Sequence, residues 1–232
     1  MLFRQFFDKT SSTYTYLIPS GRGREALIID PVKESTGAYL GLINQLDLKL
    51  VRAIDTHTHA DHVTALGDLR DATQCVTIMG EFTNAECVSE HVSEGDRIDI
   101  DGIRLEAIYT PGHTDESFSF YWNQGDQKAV FTGDVLLIRG SGRTDFQGGD
   151  PRKSYDSIVN KLFRLPDDTL VYPAHDYKGM LSSSIYEEKH YNPRLAGESE
   201  AEYAWIMNNL NLPDPKLMDV AVPANLACGK QP

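Results

Sequence analysis

Apolar positions in the first half of the chain come in short runs bounded by turn residues. Tyr14-Thr-Tyr-Leu-Ile-Pro19 and Glu25-Ala-Leu-Ile-Ile-Asp30 are rich in β-forming residues and flank Ser20-Gly-Arg-Gly23, which predicts a hairpin. Leu40, Ile43 and Leu46 recur at helical spacing and predict a helix over Ser35–Leu46. Leu48–Asp55 reads as the next strand, and His62–Arg70 as a helix beginning just after it. Further strands are expected at Cys75–Met79, Ile103–Tyr109, Ser117–Trp122 and Lys128–Thr132. The second half is more helical. Ile158, Leu162 and Leu165 line one side of Tyr155–Arg164, and Thr169–Tyr172 is a short strand. Ile185–Asn192 and Ser199–Leu210 follow as helices, the latter with Ala201, Ala204, Trp205 and Met207 as apolar positions. The tail holds Pro213, Pro215 and Pro223 and is expected to be an irregular wrap. Strands and helices mixed along the whole length, without repeat or linker, favour one α/β domain over residues 1–232, with two sheets covered by helices.

Composition narrows the class. The 232 residues are 41% hydrophobic and 24% charged, which suits a folded globular protein. No apolar run approaches the ~18 residues of a membrane span, and the Met1–Asp8 segment has neither a signal-peptide core nor transit-peptide character. With 34 acidic against 22 basic side chains the net charge is −12, which disfavours nucleic acid as a partner. The three cysteines, Cys75, Cys87 and Cys228, lack C-x-x-C spacing, so packed or surface thiols and a cytoplasmic location are expected.

Of seven histidines, three fall in Thr56-His57-Thr58-His59-Ala60-Asp61-His62, immediately after a predicted strand. Side chains two apart on extended chain share a side, so His57 and His59 can converge, while Asp61 and His62 can face an adjacent point. Imidazole and carboxylate without thiolate suit Zn²⁺, Fe²⁺ or Mn²⁺. His113 in Thr-Pro-Gly-His, Asp134 after Gly133, and His175 in Tyr-Pro-Ala-His each follow a strand as well. A lone histidine after a strand is usually a hydrogen-bonded packing residue, but the ordered set points to metal. His91 and His190 stand outside it as surface residues.

The H-x-H-x-D-H motif with a later His, Asp and His resembles the metallo-β-lactamase superfamily. That resemblance implies a four-layer αβ/βα sandwich, with two mixed β-sheets flanked by helices. In dinuclear members, positions matching His57, His59 and His113 hold one metal, those matching Asp61, His62 and His175 a second, and the match to Asp134 bridges. Longer strings narrow the likeness: Asp134–Gln147, Tyr172–Tyr177, Asn192-Pro-Arg194, Asn209–Pro213 and Ala221-Val-Pro-Ala-Asn225 resemble the persulfide dioxygenase branch. This branch implies oxidation of glutathione persulfide by dioxygen and water to sulfite and glutathione, at one mononuclear non-haem Fe(II) per chain. The implied ligands are His57, His113 and Asp134. His59, Asp61, His62 and His175 become surrounding groups, with Asp61, His62, His175 and Tyr177 as catalytic candidates. Arg143 and Tyr177 match positions of the glutathione pocket in related thioester hydrolases; the lesser alternatives are a loop salt bridge for Arg143 and a merely buried side chain for Tyr177. Asp61 and Asp176 could orient imidazoles. Relatives often carry cysteine where this chain has Ser141, so a thiol role has no basis there. A homodimer is the family-like expectation.

Spacing alone also permits a dinuclear zinc glutathione-thioester hydrolase of the glyoxalase II kind, because all seven ligands of the two-metal plan are present. An iron-based sensor lacks an output domain within these residues. β-Lactam hydrolysis would call for a secretory signal.

Overall fold

The structure is a computed structural model that describes residues 3–20, 24–125, 127–213 and 217–230. The chain divides into two compact units. The first comprises Met1–Val92, Ile98–Arg104 and Asp214–Pro232; the second comprises Ser93–Arg97 and Leu105–Pro213. Each is built around one mixed sheet with helices packed on it.

The first sheet runs in the order β1 (Arg4–Phe7), β2 (Tyr14–Pro19), β3 (Glu25–Ile29), β4 (Lys49–Ile54), β5 (Val76–Gly80) and β6 (Glu90–Val92). The β1/β2 and β2/β3 pairs are antiparallel and the remaining three are parallel. The expected hairpin is therefore present, although its turn at Gly21–Gly23 lies outside the described residues. Helices α1 (Thr36–Gln45) and α2 (Leu66–Thr73) are the crossovers on either side of β4. Leu17, Ile28, Tyr39, Ile43, Leu50, Ala53, Leu66 and Leu69 form one buried cluster. Each fully buried aliphatic side chain contributes about 1.5–3 kcal/mol. The parallel strands β3 and β4 end side by side, Ile29 opposite Ile54, so Asp30 and Asp55 emerge together at their carboxyl ends.

The second sheet has the order β12 (Ser183–Ser184), β11 (Leu170–Pro173), β10 (Gln127–Gly133), β9 (Phe118–Gln124), β8 (Ile103–Tyr109) and β7 (Arg97–Ile100). The β10/β11 pair is parallel; β8/β9, β9/β10 and β11/β12 are antiparallel. Helices α3 (Pro151–Asp156), α4 (Ile185–Tyr191) and α5 (Glu200–Asn208) supply much of its cover. Its core joins Val130, Leu136, Ile158, Leu162, Val171, Tyr203 and Met207. Among the described residues no helix is long and apolar enough to cross a membrane.

Several sequence expectations need correction. Helix α2 starts at Leu66 and not at His62, because the backbone of the preceding loop is bonded elsewhere: Ala65 N donates to Pro31 O and Lys33 N to Val63 O. Polar edge strands β1, β6 and β7 lack the apolar runs by which strands were read. In α5, Tyr203 is buried while Trp205 is 68% exposed and Ala201 exposed, so its inward face is displaced from the expected one. The helix read at Tyr155–Arg164 begins at Pro151, capped by the Asp150 carboxylate, and continues through a wider and then a tighter turn to Arg164. The tail is not irregular throughout: α6 (Met218–Leu226) contains Pro223, and Pro215 lies outside the described residues. Most consequentially, Cys87 and Cys228 form a disulfide, with Cα atoms 6.0 Å apart and a separation of 141 positions in sequence. The expectation of three thiols fails because chain return, not spacing, brings these two together. Cys75 alone is free, and buried.

Candidate metal centre

In the first unit the H-x-H-x-D-H segment leaves β4 and is held by groups from three other segments. Asp30 sits in the left-handed region (φ 51°), and its carboxylate accepts from Thr56 N at 2.7 Å and Thr56 Oγ1 at 3.1 Å. Thr56 Oγ1 lies 3.0 Å from His57 Nδ1, so the far nitrogen of His57, Nε2, is the one turned toward a ligand role. Asp30 Oδ1 also lies 3.2 Å from His59 Nε2. The His57, His59 and His62 rings follow one another with centroids 4.1 and 4.3 Å apart. Asp61 Oδ2 is 3.0 Å from His62 Nδ1, and Thr13 Oγ1 is 3.2 Å from both groups. Asp61 thus orients an imidazole as expected.

His59 is the electrostatic anomaly of this unit. Its burial favours the neutral ring, yet Asp30, with help from Asp55 and Asp61, outweighs that and raises its pKa to about 9. Its Nδ1 is buried with no hydrogen-bond partner. A buried nitrogen left unpaired costs roughly 1–3 kcal/mol. A cation would satisfy it, and ligand atoms of His59, Asp61 and His62 all lie within 4.8 Å of one another. The donor set fits a borderline divalent metal.

The second unit gathers His113, Asp134 and His175 at the ends of β8, β10 and β11. Asp134 stands between the two histidines: its Oδ1 is 2.6 Å from His175 Nδ1 and its Oδ2 is 3.6 Å from His113 Nε2. His113 Nδ1 donates to Arg143 O at 2.8 Å. A carbonyl can only accept, so Nδ1 carries the proton and Nε2 keeps its lone pair for a metal. Gly142 N donates to Asp134 O at 2.8 Å, and a Cβ there would lie 2.1 Å from that same oxygen. Behind this loop, Tyr203 donates to Ser141 Oγ at 2.9 Å, and Arg194 Nη1 donates to Ser141 O. Burial pushes the Tyr203 hydroxyl pKa up and the Arg194 guanidinium pKa down. Ser141 is therefore a buried hydrogen-bonding member of the loop.

The remaining predicted residues are placed differently. Arg143 makes a two-pronged salt bridge to Asp145, Nε to Oδ1 at 2.7 Å and Nη2 to Oδ2 at 2.9 Å, and Nη1 donates to Pro213 O. This is the loop salt bridge weighed above against substrate binding. Arg143 holds the Asp145 carboxyl below its usual range. Tyr177 is 73% exposed and stacks on His175, ring centroids 6.1 Å apart. Asp176 orients no imidazole: its Oδ2 accepts from Lys178 N and Met180 N within its own loop. His91 and His190 are exposed, as expected.

Sequence reasoning missed Asp30, Thr13 and Asn225. Two apolar strands each ending in aspartate, Ile28-Ile-Asp30 and Ala53-Ile-Asp55, were an available signal for Asp30. Asn225 was marked only as the end of the Ala221-Val-Pro-Ala-Asn225 string, with no role attached; its Nδ2 donates to His59 O and His62 O at 2.8 and 2.9 Å and its Oδ1 accepts from Thr64 N at 2.8 Å.

Two mixed sheets flanked by helices, with histidines and aspartates at their strand ends, define a metal-binding α/β protein. The profile of the metallo-beta-lactamase superfamily matches residues 9–175. Curated relatives include "Persulfide dioxygenase ETHE1, mitochondrial" of Mus musculus, 46% identical over 100% of this chain and 90% of that protein, and its Homo sapiens counterpart, 45% identical with the same coverage. The crystal structure of ETHE1 from Myxococcus xanthus superposes with a TM-score of 0.94 at 53% identity, covering 99% of this chain and 100% of that one. The chain belongs to the metallo-β-lactamase superfamily and has its fold.

Proposed function

We propose that this protein is a persulfide dioxygenase that converts glutathione persulfide, dioxygen and water to sulfite and glutathione, using one Fe(II) per chain. The observation that carries the reading is full-length likeness: identity of 44–46% to three persulfide dioxygenases extends across the entire chain. His57, His113 and Asp134 would hold the iron. Supporting this choice, the Nδ1 atoms of His57 and His113 are engaged by Thr56 and Arg143 O, which leaves Nε2 as donor in both.

A two-histidine, one-carboxylate iron site supplies open positions at which a sulfur anion and dioxygen can be brought together. The chain's own residues would do the positioning. His175 hydrogen-bonds the Asp134 carboxylate and limits which of its oxygens faces a metal. Asp61 and Thr13 fix the His62 ring, and Asp30 spans Thr56 and His59. Arg143 would bind a glutathione carboxylate by exchanging Asp145 for it, and Tyr177 would add a hydroxyl donor at the exposed rim. A homodimer and cytoplasmic residence complete the proposal.

The test is anaerobic purification, metal quantitation and oxygen uptake with glutathione persulfide. About one iron per chain with persulfide-dependent uptake is expected. Asp134→Ala should abolish iron binding, whereas His59→Ala should retain much of it. One observation favours a second reading, a dinuclear zinc glutathione-thioester hydrolase: His59 is a ligand in the two-metal plan and not in the one-iron plan, and its Nδ1 is buried without a hydrogen-bond partner, close to Asp61 and His62. Two zincs per chain, thioester turnover and an empty site in His59→Ala would establish that reading and overturn the first.

A further inference from the structure

The C-terminal segment of the first unit is built as a strap on the metal-ligand loop. Asn225, on α6, bonds three backbone groups of residues 59–64 and is itself buried. It bonds two carbonyls and one N–H of a loop with little regular structure of its own, since residues 57–65 contain no helix or strand and only an isolated β-bridge, Thr64 to Val32. Just beyond it, Gly229 (φ 76°) presses on the same loop so closely that a Cβ would lie 1.9 Å from Thr64 O. Cys228 O accepts from Gly67 N at 2.9 Å, and Lys33 Nζ donates to Gly229 O. The disulfide from Cys228 to Cys87 anchors this strap to the segment after β5, where Cys87 O in turn accepts from Arg70 Nη1 at 2.7 Å on α2.

We propose that Asn225 is a positioning residue for the H-x-H-x-D-H loop and that the Cys87–Cys228 disulfide is its latch, making the order of the metal-ligand loop sensitive to thiols. The chemistry is ordinary exchange. Two equivalents of a thiol, or one dithiol, attack the disulfide in turn, release Cys87 and Cys228 as thiols and leave one reagent disulfide, a two-electron, two-proton reduction. Without the covalent tie, α6 is held to the loop only by hydrogen bonds and packing, so its detachment and the loosening of residues 59–64 become one event. Neither the identity of the metal nor the persulfide reading enters this inference.

The experiment is amide hydrogen exchange on the purified full chain, oxidised and after dithiothreitol, with Co²⁺ affinity read from its visible absorption. Thiol titration of the unfolded oxidised protein should find only Cys75. Reduction should speed exchange across residues 59–64 about tenfold or more, the loss expected for one buried hydrogen bond, and weaken Co²⁺ binding. Cys228→Ser should show the same loosening without reductant and no further response to it. Asn225→Asp retains the acceptor for Thr64 N but loses the donors to His59 O and His62 O. It should protect Thr64 while loosening 59–62, a split that general destabilisation would not produce; Asn225→Ala should loosen both. Three reactive thiols before reduction, or equal exchange at 59–64 in oxidised and reduced protein, would overturn the latch. Unchanged exchange in Asn225→Ala would overturn the positioning role.

Discussion

A backbone carbonyl, Arg143 O, selects which nitrogen of His113 can meet a metal, and a threonine does the same for His57. At this scale the ligand-type residues were legible, because each stands just past an apolar strand. Their orienting partners were not. Asp30 looks like an ordinary turn residue until β3 and β4 are paired, and only then does its carboxylate reach Thr56 and His59. Arg143 was readable as a carboxylate binder, and in the fold it holds Asp145 two residues away. Gly142 shows how tightly this loop is set. Gly142→Ala would drive a methyl group into Asp134 O, whereas Gly140→Ala meets nothing nearer than 3.9 Å. Urea unfolding should show Gly142→Ala destabilised by about 1–3 kcal/mol, together with weaker metal retention. Gly140→Ala should be nearly neutral in both assays.

Among the elements, central strands and amphipathic helices followed their hydrophobic spacing, and ends and edges did not. The start of α3 illustrates the cause. Its Asp150-Pro151 signal lies ahead of the first apolar position, so periodicity begins the helix four residues late. The Asp150 side chain accepts from Arg152 N and Lys153 N, while its own N–H donates to Gly112 O beside His113. Asp150→Ala should cost roughly 1 kcal/mol in thermal or urea unfolding, while Asp150→Asn, which keeps an acceptor, should recover most of it. Helix α2 errs in the opposite direction, starting late because Pro31, Lys33 and Asn225 claim the backbone of residues 63–65. The buried face of α5 is shifted because Tyr203 finds partners in Ser154 and Ser141, while Trp205 faces solvent.

Over the whole molecule, the likeness to persulfide dioxygenases is continuous from end to end, and the covalent topology is particular to where the chain returns. A cross-link between residues 141 apart restricts the unfolded chain strongly. Reduction should lower stability by about 2–5 kcal/mol, visible as a dithiol-dependent fall in the unfolding midpoint that Cys87→Ser abolishes. Hydrophobic spacing and residue type, both properties of neighbouring positions, were enough to read the two-sheet α/β class and a metal-binding character for the His/Asp set as a whole, while the choice of His57, His113 and Asp134 within it came from the family resemblance. The disulfide, the three bonds of Asn225, the carboxylate of Asp30 and the pairing of Arg143 depend on which distant segments become neighbours. No local pattern encodes that, because proximity between remote residues is settled by strand register and helix packing, and it exists only once the chain has folded.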